Sequence, residues 1–209
     1  MEITTLISIF FTLFIAVDPF GLIPIFVIYI SRHNPSERRK IIFKTILIAA
    51  IVSIFFILIG RYILLYLGIS SGAFLIAGGI LLFLVSIDLI LAKPSRTKLS
   101  SDNTADFIKE DISVFPLAIP MISGPGTIAA LIMFSSQAKE NHFMLLIISG
   151  ISIIVLLITM LVMFLSVTID SLLGKTGISV IQRVMGLILS ALAVQFIING
   201  LAQVGLIKI

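Results

Sequence analysis

The chain has 209 residues, is 59% hydrophobic and only 11% charged, and has a mean hydropathy of +1.27. That leaves too little polar side chain to cover a soluble domain, so the composition points to an integral membrane protein. The net charge of +4 is no nucleic-acid signal here, because the basic residues sit in polar linkers, and the lack of cysteine excludes disulfides, thiolate metal sites and cysteine nucleophiles.

Three stretches carry no charge at all: Tyr62 to Ile87, Phe143 to Ile169 and Val184 to Ile207. Each exceeds the ~20 residues that a helix needs to cross a bilayer. They are apolar all round instead of alternating, which argues against a β-barrel. In chain order, six membrane segments are predicted at about 3–31, 41–67, 71–92, 111–137, 142–169 and 179–206. The start, Met1-Glu2-Ile3, lacks a basic n-region and reads as part of segment one, not as a removed signal peptide. Linkers are expected at 32–40, near Gly68-Ile69-Ser70, at 93–110, near Lys139-Glu140-Asn141 and at 170–179. The 93–110 loop, rich in Lys, Ser, Asp and Asn, divides the chain into residues 1–92 and 111–209, three segments each.

Segments one and four are interrupted alike. Asp18-Pro19-Phe20-Gly21, followed by Pro24, breaks the first; Ser123-Gly124-Pro125-Gly126, preceded by Pro116 and Pro120, breaks the fourth. Pro19 and Pro125 are 106 residues apart, about half the chain. Gly68-Ile69-Ser70 before segment three matches Gly177-Ile178-Ser179 before segment six at an offset of 109, and Gly78-Gly79 answers Gly186. Together these indicate an internal duplication. Three crossings per half is odd, so the halves would face opposite ways. The expected fold is an all-α membrane protein of six transmembrane helices in two inverted three-helix repeats, with helices one and four broken near the midplane.

With the N-terminus outside, the inner side would hold Arg32, Arg38, Arg39, Lys40, Lys44, Lys93, Arg96, Lys98, Lys109, Lys175 and Arg183, against Arg61, Lys139 and Lys208 outside. That bias places both termini on the extracytoplasmic side. If segments one and four were re-entrant hairpins, the inner set would lose Lys175 and Arg183 and gain Lys139 and Lys208, so the bias would be equal and charge does not separate the two arrangements. Length favours crossing, because a hairpin would leave only about half of the ~20 residues of a span after Gly21.

Asp18 lies near the middle of a membrane segment, where an ionisable group is costly and marks function by default. Asp is also a favoured N-cap and Pro a favoured first helical residue, so Asp18-Pro19 reads as the start of a second half-helix, and Gly124-Pro125 reads likewise beside Ser123. Such helix starts carry unpaired N–H groups and partial positive charge, which suits a carboxylate. Carbonyls freed around Phe14 to Val17 and Leu117 to Met121, with the Asp18 carboxylate, suit an ammonium group or a small cation. The bland reading is a pair of kinks, which Pro and Gly often produce in membrane helices. Two matched breaks, one with an Asp, favour a site. Gly21, Gly124 and Gly126 leave no side chain in the way, so the ligand should be small. Thr127, one turn from Ser123, adds a hydroxyl. Asp88 reads as an interfacial partner of Lys93 or Arg96, or as a second ion-coupling residue beside Asp18. Gln195 and Asn199, a turn apart, could line a polar path or bond between helices. His33, His142 and Asp170 read as solvated or interfacial. No metal site is expected.

Asp18-Pro-Phe-Gly-Leu-Ile-Pro24 together with Pro116-Leu-Ala-Ile-Pro120-Met-Ile-Ser-Gly-Pro-Gly-Thr-Ile128 resembles the MarC family of membrane proteins, and length, six segments and the polar loop agree over the whole chain. The resemblance implies an inner-membrane transporter of small neutral amino acids such as glycine and alanine. It puts the pore-lining motif on Asp18, Pro19, Gly21 and Pro24, and on Pro120, Ser123, Gly124, Pro125 and Gly126. No nucleotide motif is present, so transport would be gradient-driven, coupled to H⁺ or Na⁺, with no other cofactor and no nucleic-acid partner; the oligomeric state is not legible. A channel or an efflux protein for another small solute is the alternative. An intramembrane enzyme ranks lower, since no protease motif surrounds Asp18 or Asp88.

Overall fold

The computed structural model describes residues 3–30, 33–91, 111–138 and 141–207, and of Tyr29 only the backbone. Among these there is no strand. The helices are α1 (Ile3–Val17), α2 (Leu22–Ile30), α3 (Pro35–Tyr66), α4 (Ser71–Ile90), α5 (Pro125–Ala138), α6 (His142–Phe164) and α7 (Ser166–Gln203), with an irregular, widened helical segment, Ser113–Ile122, ahead of α5. The 93–110 linker and the charges of Arg32, Lys93, Arg96, Lys98, Lys109, Lys139 and Lys208 lie outside the described residues, as does the expected pairing of Asp88 with Lys93 or Arg96.

Local chemistry sets the helix starts. Asn34 and Glu37 form a reciprocal capping box at the head of α3 (2.9 and 3.1 Å). Ser70 caps α4 through Ala73 N–H, and Asn141 caps α6 through Met144 N–H. Gly68, at φ 68°, supplies the left-handed turn between α3 and α4. Five helical stretches are long and apolar enough to cross a membrane, the α1–α2 run counted as one; Ser113–Ile122 with Pro125–Ala138, bent by 58°, makes a sixth if it is one span. Bulky apolar side chains such as Tyr66, Leu146 and Leu172 remain exposed, as lipid-facing surface requires.

One expectation is corrected. The expected linker at 170–179 shrinks to one residue: the helix is interrupted at Gly174 (φ 59°, ψ −178°), and the residues on either side of it are helical. The polar residues there do not end the helix, because Asp, Ser, Lys and Thr cost little in a helix with an exposed face. The predicted fourth segment also begins irregularly. Pro116 and Pro120 donate no N–H, Phe115 and Ile119 take extended geometry, and both X–Pro bonds are cis. Asp111 caps this segment through Ser113 N–H (3.1 Å) and pairs with Lys44 of α3.

The closest packing is antiparallel, between α4 and α7, and glycine makes it possible. A Cβ on Gly72 would meet Val204 and the Gly200 carbonyl, one on Gly79 would meet Ile197 and the Ala193 carbonyl, and one on Gly186 would meet Leu89, Ile90 and the Ser86 carbonyl, all within 3.0 Å. Small residues let membrane helices approach backbone to backbone, where dispersion is strongest. Gly78, by contrast, has ordinary clearance, 3.5 Å from Met133. Gly79→Ala would place a methyl 2.9 Å from a backbone carbonyl, which cannot yield as a side chain can. It should lower stability by about 1–3 kcal/mol, read as a drop in the thermal midpoint in detergent, whereas Gly150→Ala, with open space around it, should not.

Candidate functional site

At the first break α1 ends with Asp18 N–H still donating to the Phe14 carbonyl (3.1 Å). Asp18 then turns into the left-handed region, φ 51°, which Asp tolerates better than most residues. Its carbonyl accepts Leu22 N–H (3.3 Å), and its carboxylate Oδ1 accepts Gly21 N–H (3.0 Å). That is an N-cap bond, with Pro19 in the first turn where no donor is needed. Pro24 has no N–H, and the Phe20 carbonyl accepts from Ile23 instead (3.1 Å). The second carboxylate oxygen accepts from Gln182 Nε2 of α7 (3.1 Å). Asp18 is 3% exposed, so its carboxylate sits in protein and spans two elements distant in sequence. Gly21 is enclosed by this pair: a Cβ there would lie 1.9 Å from Asp18 Oδ2 and 2.5 Å from Gln182 Nε2.

At the second break Ser123 N–H donates to the Ala118 carbonyl (2.9 Å), and Ser123 takes φ −94°, ψ 57° before α5 begins at Pro125. Thr127 Oγ1 donates to the Ile122 carbonyl (2.9 Å), which the break would otherwise leave unpaired in a buried place. A Cβ on Gly124 would lie 2.5 Å from the Pro120 carbonyl, so this turn admits only glycine without movement. The Ser123 hydroxyl is buried and has no hydrogen-bond partner among the described residues. Orphaning a hydroxyl costs about 1–3 kcal/mol. The first N–H groups of α5, at Gly126 and Thr127, have no acceptor on the described chain. Unlike α2, then, α5 presents a bare positive end.

Pro125 and Gly126 face a cavity of 170 Å³ whose other wall is α4, through Leu81, Leu84, Val85, Ile87 and Asp88. Gly126 sets its width, since a Cβ there would come within 3.1 Å of Val85. The two breaks therefore rest on different partners: Asp18 and Gly21 on α7, Gly126 on α4. Of the carbonyls expected to be freed, those of Phe14 and Ala118 are taken by the backbone. Gln195 donates to Asn199 on the same helix (2.9 Å), so on α7 these two satisfy each other instead of bridging helices. His142 is exposed, and among the described residues no cluster of His, Asp or Glu could hold a metal ion. Gln182 escaped the sequence reading because a glutamine between Ile181 and Arg183 at a helix start looks interfacial. The signal available was that Asp18, buried in an apolar segment, required a donor from elsewhere in the fold.

Several long apolar helices around a buried carboxylate, its amide partner and a bare helix end define a multi-pass integral membrane protein. Residues 3–204 match the MarC family, described as MarC family integral membrane proteins, and the chain belongs to that family. It is 39% identical over 199 residues to a UPF0056 membrane protein of Methanocaldococcus jannaschii, covering 92% of this chain and 84% of the relative. It is 35% identical over 207 residues to a UPF0056 membrane protein of Archaeoglobus fulgidus, covering 97% of each. A UPF0056 membrane protein of Buchnera aphidicola is 32% identical over 94% of this chain and 96% of its own length. No solved structure matches the chain.

Proposed function

We propose that the protein is a secondary transporter of small neutral amino acids, glycine and alanine above all, and not an enzyme. The observation that carries this reading is the bare start of α5: two N–H groups and the buried, unpartnered Ser123 hydroxyl at one helix end, beside a 170 Å³ cavity with Asp88 across it. A helix N-terminus attracts a carboxylate and an aspartate attracts an ammonium group, so the two walls suit the two ends of a zwitterion. Asp18, capped and bonded to Gln182, is the coupling residue for H⁺ or Na⁺, a role in which loss or gain of one charge would change the hold between α2 and α7.

An inverted duplication fits the packing. Gly79 of α4 meets Ile197, and Gly186 of α7 meets Ile90; each residue of the second half lies 107 positions after its counterpart in the first. A two-fold axis between α4 and α7 produces that exchange, and it sets each broken segment against the third helix of the other half. Under this reading the breaks lie near the midplane of crossing segments, in an inner membrane, with both termini extracytoplasmic.

The test is uptake of labelled glycine and alanine into proteoliposomes with H⁺ or Na⁺ gradients imposed in turn. Both should accumulate, and Gly126→Ala, which narrows the cavity against Val85, should reduce alanine uptake more than glycine uptake. Equal competition by leucine and glycine, or no movement of either small amino acid, would sink the proposal.

A further inference from the structure

Beyond the bend at Gly174, Lys175, Thr176, Ser179, Val180 and Arg183 of α7 line a second cavity, of 270 Å³. Residues 175, 179 and 183 follow at steps of four, so one helix face carries a cation, a hydroxyl and a cation in sequence, with Thr176 beside them. Among the described residues neither Lys175 nor Arg183 has an acidic partner, whereas Lys44 pairs with Asp111. The interruption of helical geometry at Gly174 puts Lys175 and Thr176 at the start of a new arm, where the peptide dipoles add positive potential. The flanks are apolar and exposed: Leu172 at 78%, Val180 at 56% and Val184 at 53%. A basic, hydroxyl-bearing crevice thus opens at the border of lipid-facing surface. The other basic cavity, with Arg39, Lys40 and Lys44, differs because Asp111 already pairs with Lys44 and Glu37 lies nearby in α3.

We propose that this crevice binds a phosphate group, that of an anionic phospholipid whose acyl chains lie along Val180 and Val184. Arg183 and Lys175 neutralise the charge, Ser179 and Thr176 donate hydrogen bonds, and the apolar flanks exclude water from the contact. The occupied site would tie the membrane surface to the arm of α7 that carries Gln182.

The experiment uses the purified full chain in a neutral detergent, titrated with phosphatidylglycerol, with phosphatidylcholine or with inorganic phosphate, and read by thermal midpoint and by lipid retained in native mass spectrometry. Phosphatidylglycerol should raise the midpoint and be retained, whereas phosphatidylcholine should do neither. The Lys175→Gln/Arg183→Gln pair should bind roughly thirtyfold more weakly, from about fivefold per basic residue near an anionic surface, and Arg39→Gln/Lys40→Gln should bind as the parent does. An equal effect of inorganic phosphate, lost in the same variant, would support the phosphate site with a free anion as occupant. Equal response to the two lipids, or equal loss in the two double variants, would overturn it. An unchanged midpoint of the Lys175/Arg183 variant in phosphatidylcholine shows that it folds.

Discussion

Asp18→Asn is expected to leave the fold intact and to abolish gradient-driven accumulation of substrate. The asparagine Oδ1 can still accept Gly21 N–H, and its amide can face Gln182 once that side chain rotates to present its own oxygen, so both bonds of Asp18 have a neutral replacement. What is lost is the charge. Uptake of glycine into proteoliposomes should fall at least about tenfold, equivalent to ~1.4 kcal/mol, and lose its dependence on the imposed ion gradient, while the thermal midpoint stays close to the parent's. Wild-type uptake with unchanged ion dependence would make Asp18 a helix cap and nothing more. Asp18→Ala separates the two roles further. It removes the cap, at about 1 kcal/mol, and leaves the Gln182 amide short of an acceptor, at about 1–3 kcal/mol, so this variant should be destabilised as well as inactive.

Gly21→Ala should have the largest structural effect of any single methyl added near the first break. The new Cβ would lie 1.9 Å from Asp18 Oδ2 and 2.5 Å from Gln182 Nε2, distances that no side chain keeps. The carboxylate and the amide must move apart, giving up a half-buried, charge-assisted hydrogen bond and straining the turn in which Asp18 holds φ 51°. The expected loss is about 2–4 kcal/mol, read from thermal or denaturant unfolding, with uptake reduced in parallel. The mechanism is specific, so Gly21→Ala and Gln182→Ala together should cost less than the sum of the two, because either alone already breaks the same bond. Strict additivity, or a Gly21→Ala protein as stable and active as the parent, would show that the Asp18–Gln182 contact does not matter.

The residues that announced the site in the sequence did so through backbone chemistry. Pro19, Pro24, Pro120 and Pro125 cannot donate N–H, Gly21 and Gly124 admit crowding that no Cβ would, and Asp18 is a natural cap; each constraint acts over a turn or less, so it is readable in the local string. Segment positions were legible for the same reason, since hydropathy sets where a helix must lie in a bilayer. Two things were not. Gly174 interrupts α7 without ending it, and the surrounding Asp170, Ser171 and Lys175 look like a linker although they continue a helix with an exposed face. Gln182 pairs with Asp18 across 164 residues, and Asp88 joins Gly126 at one cavity; such pairings depend on how α4 and α7 pack, which rests on glycines spread along both helices and not on any local motif.

The claim that a small zwitterion is held where α5 begins can be tested at the site itself, because the chain has no cysteine to confuse the labelling. Pro125→Cys places a single thiol on the cavity wall at an exposed first-turn position. In proteoliposomes a small water-soluble thiol reagent should modify it, and glycine or alanine should slow that reaction in proportion to occupancy while leucine does not. Modification at the same rate with and without saturating glycine or alanine would contradict the placement of the substrate at this break.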